Sequence, residues 1–273
     1  MAATWRGAEP PPAPPVTALG WVRVVGRGLL LGLVTYGGLA VMLLLRLLER
    51  PLFGLRRPVT PFITQFVCRA ALAILGIRCT RRGQPMRERG ALVCNHVSWL
   101  DIFVLNAAQR VYFVSKSEVA GWPVIGGLAR ATGTVFINRS GREAGRQKIL
   151  FEARLRANHR LLFFPEGTST DGQRVLPFKS TLFAAFYSHG LEEILHVQPL
   201  TLRYHTPAGQ DPRFYAWWGE MGFAGHLIAV LAAPRQGRVE LIFHEPVRVG
   251  ELDGRKALAA HCERAVRGGL NDG

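Results

Sequence analysis

Cysteine, acidic residues and recognisable nucleic-acid modules are all scarce in this sequence, and each shortage excludes something. The four cysteines, Cys68, Cys79, Cys94 and Cys262, form no CxxC pair and no dense framework. That argues against a disulfide-stapled secreted domain and for a reduced, cytoplasm-facing protein. Asp+Glu number 19 against 34 Lys+Arg, a formal net charge of +15. An excess of that size points to a polyanionic partner, either nucleic acid or an anionic membrane. Zinc-finger spacing, RRM-like aromatic motifs and bZIP heptads are missing, so no nucleic-acid partner is expected. There is no internal repeat.

What is present favours a membrane. Up to Arg89 there are 13 basic residues and three acidic ones (Glu9, Glu49, Glu88), so +10 of the charge lies there. The same stretch holds the most apolar run, Gly28 to Leu45, 18 residues without a charge, bracketed by Arg27 and Arg46. This is at the short end of what spans a bilayer, where about 20 apolar residues are usual. The run is long for a signal peptide, and Arg46-Leu47-Leu48-Glu49-Arg50 follows it instead of a small-x-small cleavage site, so it is expected to be retained. Before it, residues 1–18 carry a proline run from Pro10 to Pro15, which resists helix and sheet and predicts a disordered tail. After it, Pro61 to Ile77 carries Arg69 midway and predicts an amphipathic helix, at the membrane interface or packed on the following domain. Residues 19–77 are thus the expected membrane anchor, and 78–89 a charged, turn-rich connection.

From Gly90 onward, short apolar runs alternate with longer mixed segments. Residues 91–94, 111–114, 134–137, 161–164, 197–204 and 239–243 predict buried strands. Residues 99–108, 119–130, 142–157 and 178–189 predict helices. Alternation of this kind predicts an α/β domain with a mixed, largely buried sheet flanked by helices.

The chemistry-bearing stretch is Cys94-Asn95-His96-Val97-Ser98-Trp99-Leu100-Asp101. Five residues do not return to one helix face, since the repeat is 3.6. His96 and Asp101 can meet only if His96 precedes a helix and the chain turns between them. Ser98 is a good N-cap, and Asp101 falls in the first turn, pointing back toward the loop. A carboxylate on one imidazole nitrogen fixes the tautomer and leaves the other to accept a proton. The same Ser-x-x-Asp spacing also resembles a capping box, which needs no catalysis. Three further blocks place polar groups at strand ends: Val135-Phe136-Ile137-Asn138-Arg139, Phe164-Pro165-Glu166-Gly167-Thr168, and Val197-Gln198-Pro199-Leu200.

These four blocks, in this order, resemble the lysophospholipid acyltransferase family, called PlsC after the bacterial 1-acylglycerol-3-phosphate enzyme. The likeness covers about Ala91 to Tyr204. It implies direct acyl transfer from acyl-CoA or acyl-carrier protein to a lysolipid hydroxyl, without a cofactor or metal, by an acyltransferase domain over 78–273. His96 would be the general base and Asp101 its orienting partner. Arg139, Glu166, Gly167 and Thr168 would hold the acceptor head group. The family's third block usually continues with arginine, whereas this chain has Ser169; Lys179, where the family often has lysine, would compensate. The wider pattern also resembles the subgroup acylating lyso-ornithine lipid, whose acceptor has no phosphate; lysophosphatidate, the commoner substrate, is the expected acceptor, giving phosphatidate, and lyso-ornithine lipid is the alternative. Acyl-thioester donors are cytoplasmic, which implies the cytoplasmic face of the inner membrane, in keeping with Arg46, Arg50, Arg56 and Arg57 after the apolar run.

Other readings rest on less. Gly167-Thr168-Ser169-Thr170-Asp171 fails the GxSxG nucleophile pattern at its last glycine. Cys94 is a candidate thiol nucleophile or metal ligand but reads better as a small buried strand residue. A membrane-bound lipid-binding protein without turnover is the alternative of another class. Tyr215, Trp217 and Trp218 form an aromatic cluster suited to an acyl channel, the interface or the core.

Overall fold

A computed structural model describes residues 4–12, 15–137, 144–187 and 190–272, the side chains of 144–148 excepted. The chain opens with two helices, α1 (Ala18–Phe53) and α2 (Thr60–Leu75). It then alternates through β1 (Arg78–Arg82), β2 (Gly90–Cys94), α3 (Leu100–Ala108), β3 (Tyr112–Lys116), α4 (Ile125–Thr132), β4 (Val135–Ile137), α5 (Ala144–Arg156) and β5 (Leu161–Phe163). The rest is β6 (His196–His205), α6 (Phe223–Ala232), β7 (Arg238–Phe243), β8 (Val247–Arg248) and α7 (Gly254–Asn271).

Seven strands lie in the order β1-β7-β6-β2-β5-β3-β4, with β8 paired to the start of β6. The strands from β6 to β4 run parallel, and β7 turns the sheet mixed by pairing antiparallel with β6. The expected mixed, buried α/β sheet is therefore present. β2 sits at its centre, and Ala91, Leu92, Val93 and Cys94 are at most 1% exposed. A strand covered on both faces has no polar side to alternate with, which explains its unbroken apolar run.

Helix α1 is twice the uncharged run that announced it, and it is long and apolar enough to cross a membrane. Arg23 and Arg27 therefore lie inside it, not at its edge. Arg23 donates to the Ala232 carbonyl (3.0 Å), and Arg27 donates to those of Leu231 and Ala233 (both 2.8 Å). These are the carbonyls that α6 leaves unpaired at its C-terminus, so the two cations bind the helix to the domain. Further on, buried Glu49 accepts the backbone N–H groups of Val59 (2.8 Å) and Thr60 (3.2 Å), capping α2 across the elbow.

Arg69, the charge midway along α2, donates through Nε to the Ala107 carbonyl (3.0 Å) at the end of α3. One face of α2 buries Cys68, Leu72 and Leu75, while Phe62 and Phe66 stay exposed. Helix α2 thus packs on the domain and still presents apolar surface. Through α3 it braces the element that carries Asp101.

Ahead of the proline run, which was expected to lie in a disordered tail, Trp5, Arg6, Ala8 and Glu9 touch the domain. Trp5 packs on Trp218 with ring centroids 6.1 Å apart, and Ala8 accepts the Trp218 indole N–H at 3.0 Å. Arg6 pairs with Glu220, and Glu9 accepts a hydrogen bond from Arg213 (3.1 Å). An aromatic residue with a partner outweighs the local effect of the prolines that follow it.

Candidate active site

β2 delivers the chain to Asn95, whose side chain is buried and clamps β6 by donating to the Leu202 carbonyl (3.0 Å) and accepting its N–H (2.8 Å). His96 follows at once, on the loop outside the carboxyl end of the central strand. The Asp101 carboxylate, 0% exposed, lies in the first turn of α3. Its Oδ2 accepts from His96 Nδ1 at 2.8 Å, and from the backbone N–H groups of Val97 (2.8 Å) and Ser98 (3.0 Å). The expected catalytic pair and the expected capping box are therefore one structure. Helix α3 begins at Leu100, one residue later than the N-cap at Ser98 predicted. Ser98 serves by offering its N–H to Asp101 more than by its hydroxyl, which is 3.4 Å from Leu100 N.

The imidazole of His96 stacks on Phe164 with centroids 4.0 Å apart and planes 10° from parallel, and its side chain remains 22% exposed. An ionised Asp101 places the Nδ1 proton between the two residues, which directs the Nε2 lone pair away from the carboxylate.

The third block reaches the same place from β5. Glu166 is 1% exposed, and its two oxygens accept the backbone N–H groups of His96 (2.8 Å) and Leu176 (2.7 Å). Burial pushes this carboxyl up to about 8, against the opposing pull of those two amides. Thr170 N–H donates to the His96 carbonyl (3.0 Å), so the backbone of His96 is held on both sides by the loop. Gly167 makes the turn with φ +73°, a conformation costly for residues with a Cβ, and its N–H donates to the Phe164 carbonyl (3.0 Å).

Thr168 is half-buried, and its hydroxyl accepts the Trp5 N–H (3.2 Å). Lys179 has an exposed side chain, and its N–H donates to the Pro165 carbonyl (3.0 Å), beside the same loop. Arg139 lies outside the described residues. The structure thus gathers His96, Asp101 and Glu166, with Gly167, Thr168 and Lys179 on the adjoining loop.

Three contributors went unread in the sequence: Asn95, Tyr204 and Trp5. Tyr204, on β6, donates its phenol to Asp101 Oδ1 at 2.8 Å. Asn95, just after β2, and Tyr204, near the end of β6, are polar residues beside apolar runs, the one available signal; Trp5 had none beyond its bulk. The aromatic cluster packs on the turn after β2: Trp217 backbone N–H donates to the Val97 carbonyl (2.9 Å), and Trp218 packs on Val97. Burial and the neighbouring Asp101 and Glu166 carboxylates push the Cys94 thiol well up, which removes it as a thiolate nucleophile. Among the described residues, no cluster of three or more His, Cys, Asp or Glu side chains is placed to hold a metal ion.

The acyltransferase family model matches residues 77–203. A lyso-ornithine lipid O-acyltransferase of Rhodobacter capsulatus is 58% identical over 97% of this chain and 96% of its own length. The chain belongs to the PlsC-type acyltransferase family. A second relative, the lyso-ornithine lipid O-acyltransferase of Rhizobium meliloti, is 35% identical over 93% of this chain and 88% of its own. The crystal structure of the 1-acyl-sn-glycerophosphate acyltransferase PlsC from Thermotoga maritima superposes with a TM-score of 0.64, covering 93% of this chain and 97% of that one. At 18% identity that likeness establishes the fold. As a member of this family the chain is a membrane-associated lysolipid acyltransferase.

Proposed function

We propose that this acyltransferase moves a fatty acyl group from acyl-carrier protein or acyl-CoA to the free hydroxyl of lyso-ornithine lipid. The observation that carries the chemistry is the 2.8 Å contact between His96 Nδ1 and the buried Asp101 carboxylate. His96 Nε2 takes the hydroxyl proton as the acceptor oxygen bonds to the thioester carbonyl carbon. The carbon–sulfur bond then breaks, and His96 returns the proton to the departing thiolate. Holding acceptor and donor together supplies much of the rate.

The choice of acceptor is supported by relatives that align along most of their length, such as those of Rhodobacter capsulatus and Rhizobium meliloti, both named for lyso-ornithine lipid. Ser169, where the family usually has arginine, supports it too, because a phosphate-free head group does not need that cation. Lysophosphatidate, the commoner family substrate, is the second reading; Lys179 beside the loop is the residue that favours it.

Arg139, Gly167, Thr168 and Lys179 are the proposed head-group residues. Glu166, whose oxygens are both engaged by backbone amides, is proposed as the clamp that sets His96. Residues 78–273 are the proposed catalytic domain, held by 19–77 to the cytoplasmic face where acyl thioesters are made.

Expression in a host that accumulates lyso-ornithine lipid tests this reading. Ornithine lipid should appear with the wild-type chain and not with His96→Ala. A rise in phosphatidate without ornithine lipid would transfer the assignment to the second reading.

A further inference from the structure

Three of the four donors on Asp101 converge on Oδ2, namely His96 Nδ1, Val97 N and Ser98 N. All three belong to the short turn that leads into α3. The fourth is different. Tyr204 lies 103 residues further along the chain, and its phenol donates to the other oxygen, Oδ1, at 2.8 Å. Tyr204 sits on β6 in register with Val239 of β7, and its ring packs on Tyr215 at 5.6 Å. It also adjoins the cluster of Val97, Ala216 and Trp218. Its backbone is therefore fixed by the sheet, and its ring reaches the turn that bears His96 from the sheet side.

A carboxylate held only through Oδ2 could still rotate about its Cβ–Cγ bond and keep part of its bonding. Fixing Oδ1 as well determines the plane of the group, and that plane determines where the imidazole can point. The phenol also draws negative charge away from the side facing His96.

We propose that Tyr204 is a positioning residue for acyl transfer, locking the Asp101 carboxylate from the sheet side and tempering the charge it presents to His96. This rests on the reading of His96 as general base.

The groups facing the pair come from four elements. β2 brings Cys94, the loop after β5 brings Glu166, β6 brings Tyr204, and Cys79 of β1 faces the phenol in turn. Burial, reinforced by Asp101, holds the phenol well above its ordinary range, and burial pushes Cys79 up to about 11. These groups stay neutral through the working range. Glu166, pushed up to about 8 by burial, is common to the wild type and every variant below.

The test compares wild type, Tyr204→Phe and protein carrying 3-fluorotyrosine at 204, whose phenol is the stronger donor. Removing the phenol concentrates charge on the carboxylate, favours the protonated imidazole, and makes the free base available only at higher pH. Tyr204→Phe should lower kcat about tenfold with the acceptor KM within about twofold. The acid limb of kcat/KM should move to higher pH in Tyr204→Phe and to lower pH with fluorotyrosine. An NMR titration of the His96 ring should shift in the same opposite directions without any turnover. A loss of rate with an unmoved limb would make Tyr204 a packing residue and overturn the proposal. So would kcat, limb and ring titration all at wild-type values. Should Tyr204→Phe fail to fold, the fluorotyrosine protein, which keeps every contact, decides between the same outcomes. A wild-type protein with no transfer activity would defeat the underlying assignment instead, whatever the ring titration showed.

Discussion

Asp101 Oδ2 stands 2.8 Å from His96 Nδ1 while accepting the N–H groups of Val97 and Ser98, so the oxygen that orients the imidazole also closes the turn that carries it. A single substitution should therefore disturb rate and stability together. In Asp101→Ala all three donors lose their acceptor. The expected loss is about a thousandfold or more in kcat, because nothing then fixes the tautomer or the orientation of the imidazole. Unpaired backbone donors should cost about 1–3 kcal/mol of stability. His96→Ala should lose activity as fully and keep its fold. Steady-state rates and urea melts on the two variants separate these effects.

Glu166 makes the same point from the other side of His96. In Glu166→Gln one of the two backbone N–H groups it now serves would meet an amide donor, costing about 1–3 kcal/mol. Activity should fall in kcat, with the acceptor KM near wild type, because the damage is to the position of His96. A raised KM with kcat preserved would return Glu166 to the head group.

Two buried histidines should make the protein acid-sensitive. His226 accepts from the Trp99 indole (2.9 Å), and burial holds it down to about 4. His159 is likewise held at about 4, by burial and then by Arg154 and Arg57. Both values lie below the ordinary histidine range near 6.5. Their contribution is complete above about 6.5 and is lost as pH falls toward 4. Glu166, raised by burial, acts oppositely, adding stability as pH falls from about 8 toward 4.5. Melting temperature should therefore drop most steeply between pH 6.5 and 4. His226→Gln, which can still accept from Trp99 and donate to Phe214, should flatten that drop. An unchanged slope would count against the role of His226.

Trp5 sits on Thr168 and Trp218, so the N-terminal tail is expected on the same side of the membrane as the domain that carries His96. Exposed Lys256 on α7 marks the domain's side. A cysteine placed at exposed position 4 should react with an impermeant thiol reagent from the same side as one placed at 256, both in a Cys79→Ser background. Labelling from opposite sides would refute the docked tail.

The parts of the fold that were legible are those whose residues answer to local rules. The central strands showed as apolar runs, and α3 showed through the turn chemistry of Ser98 and Asp101. β1 was hidden because Arg78, Arg81 and Arg82 occupy an exposed edge strand, where charge is tolerated and alternation is not needed. The segment expected as a helix over 178–189 is a 3-10 stretch, Ser180–Phe186, followed by residues outside the described set, while 119–130 divides between a 3-10 turn and α4. α6 and α7 were not foreseen. At the active site, the pair five residues apart could be inferred from spacing. Tyr204 and Trp5 could not, because their partners lie 103 and 163 residues away and only the folded chain brings them together.

The most direct test of the central claim is acyl transfer by the purified, detergent-solubilised protein from a labelled acyl thioester. Lyso-ornithine lipid and lysophosphatidate are offered separately, with His96→Ala as control. The account predicts labelled ornithine lipid from the wild type, a much lower kcat/KM for lysophosphatidate, and no product from His96→Ala. Ornithine lipid formed at an undiminished rate by His96→Ala would contradict it.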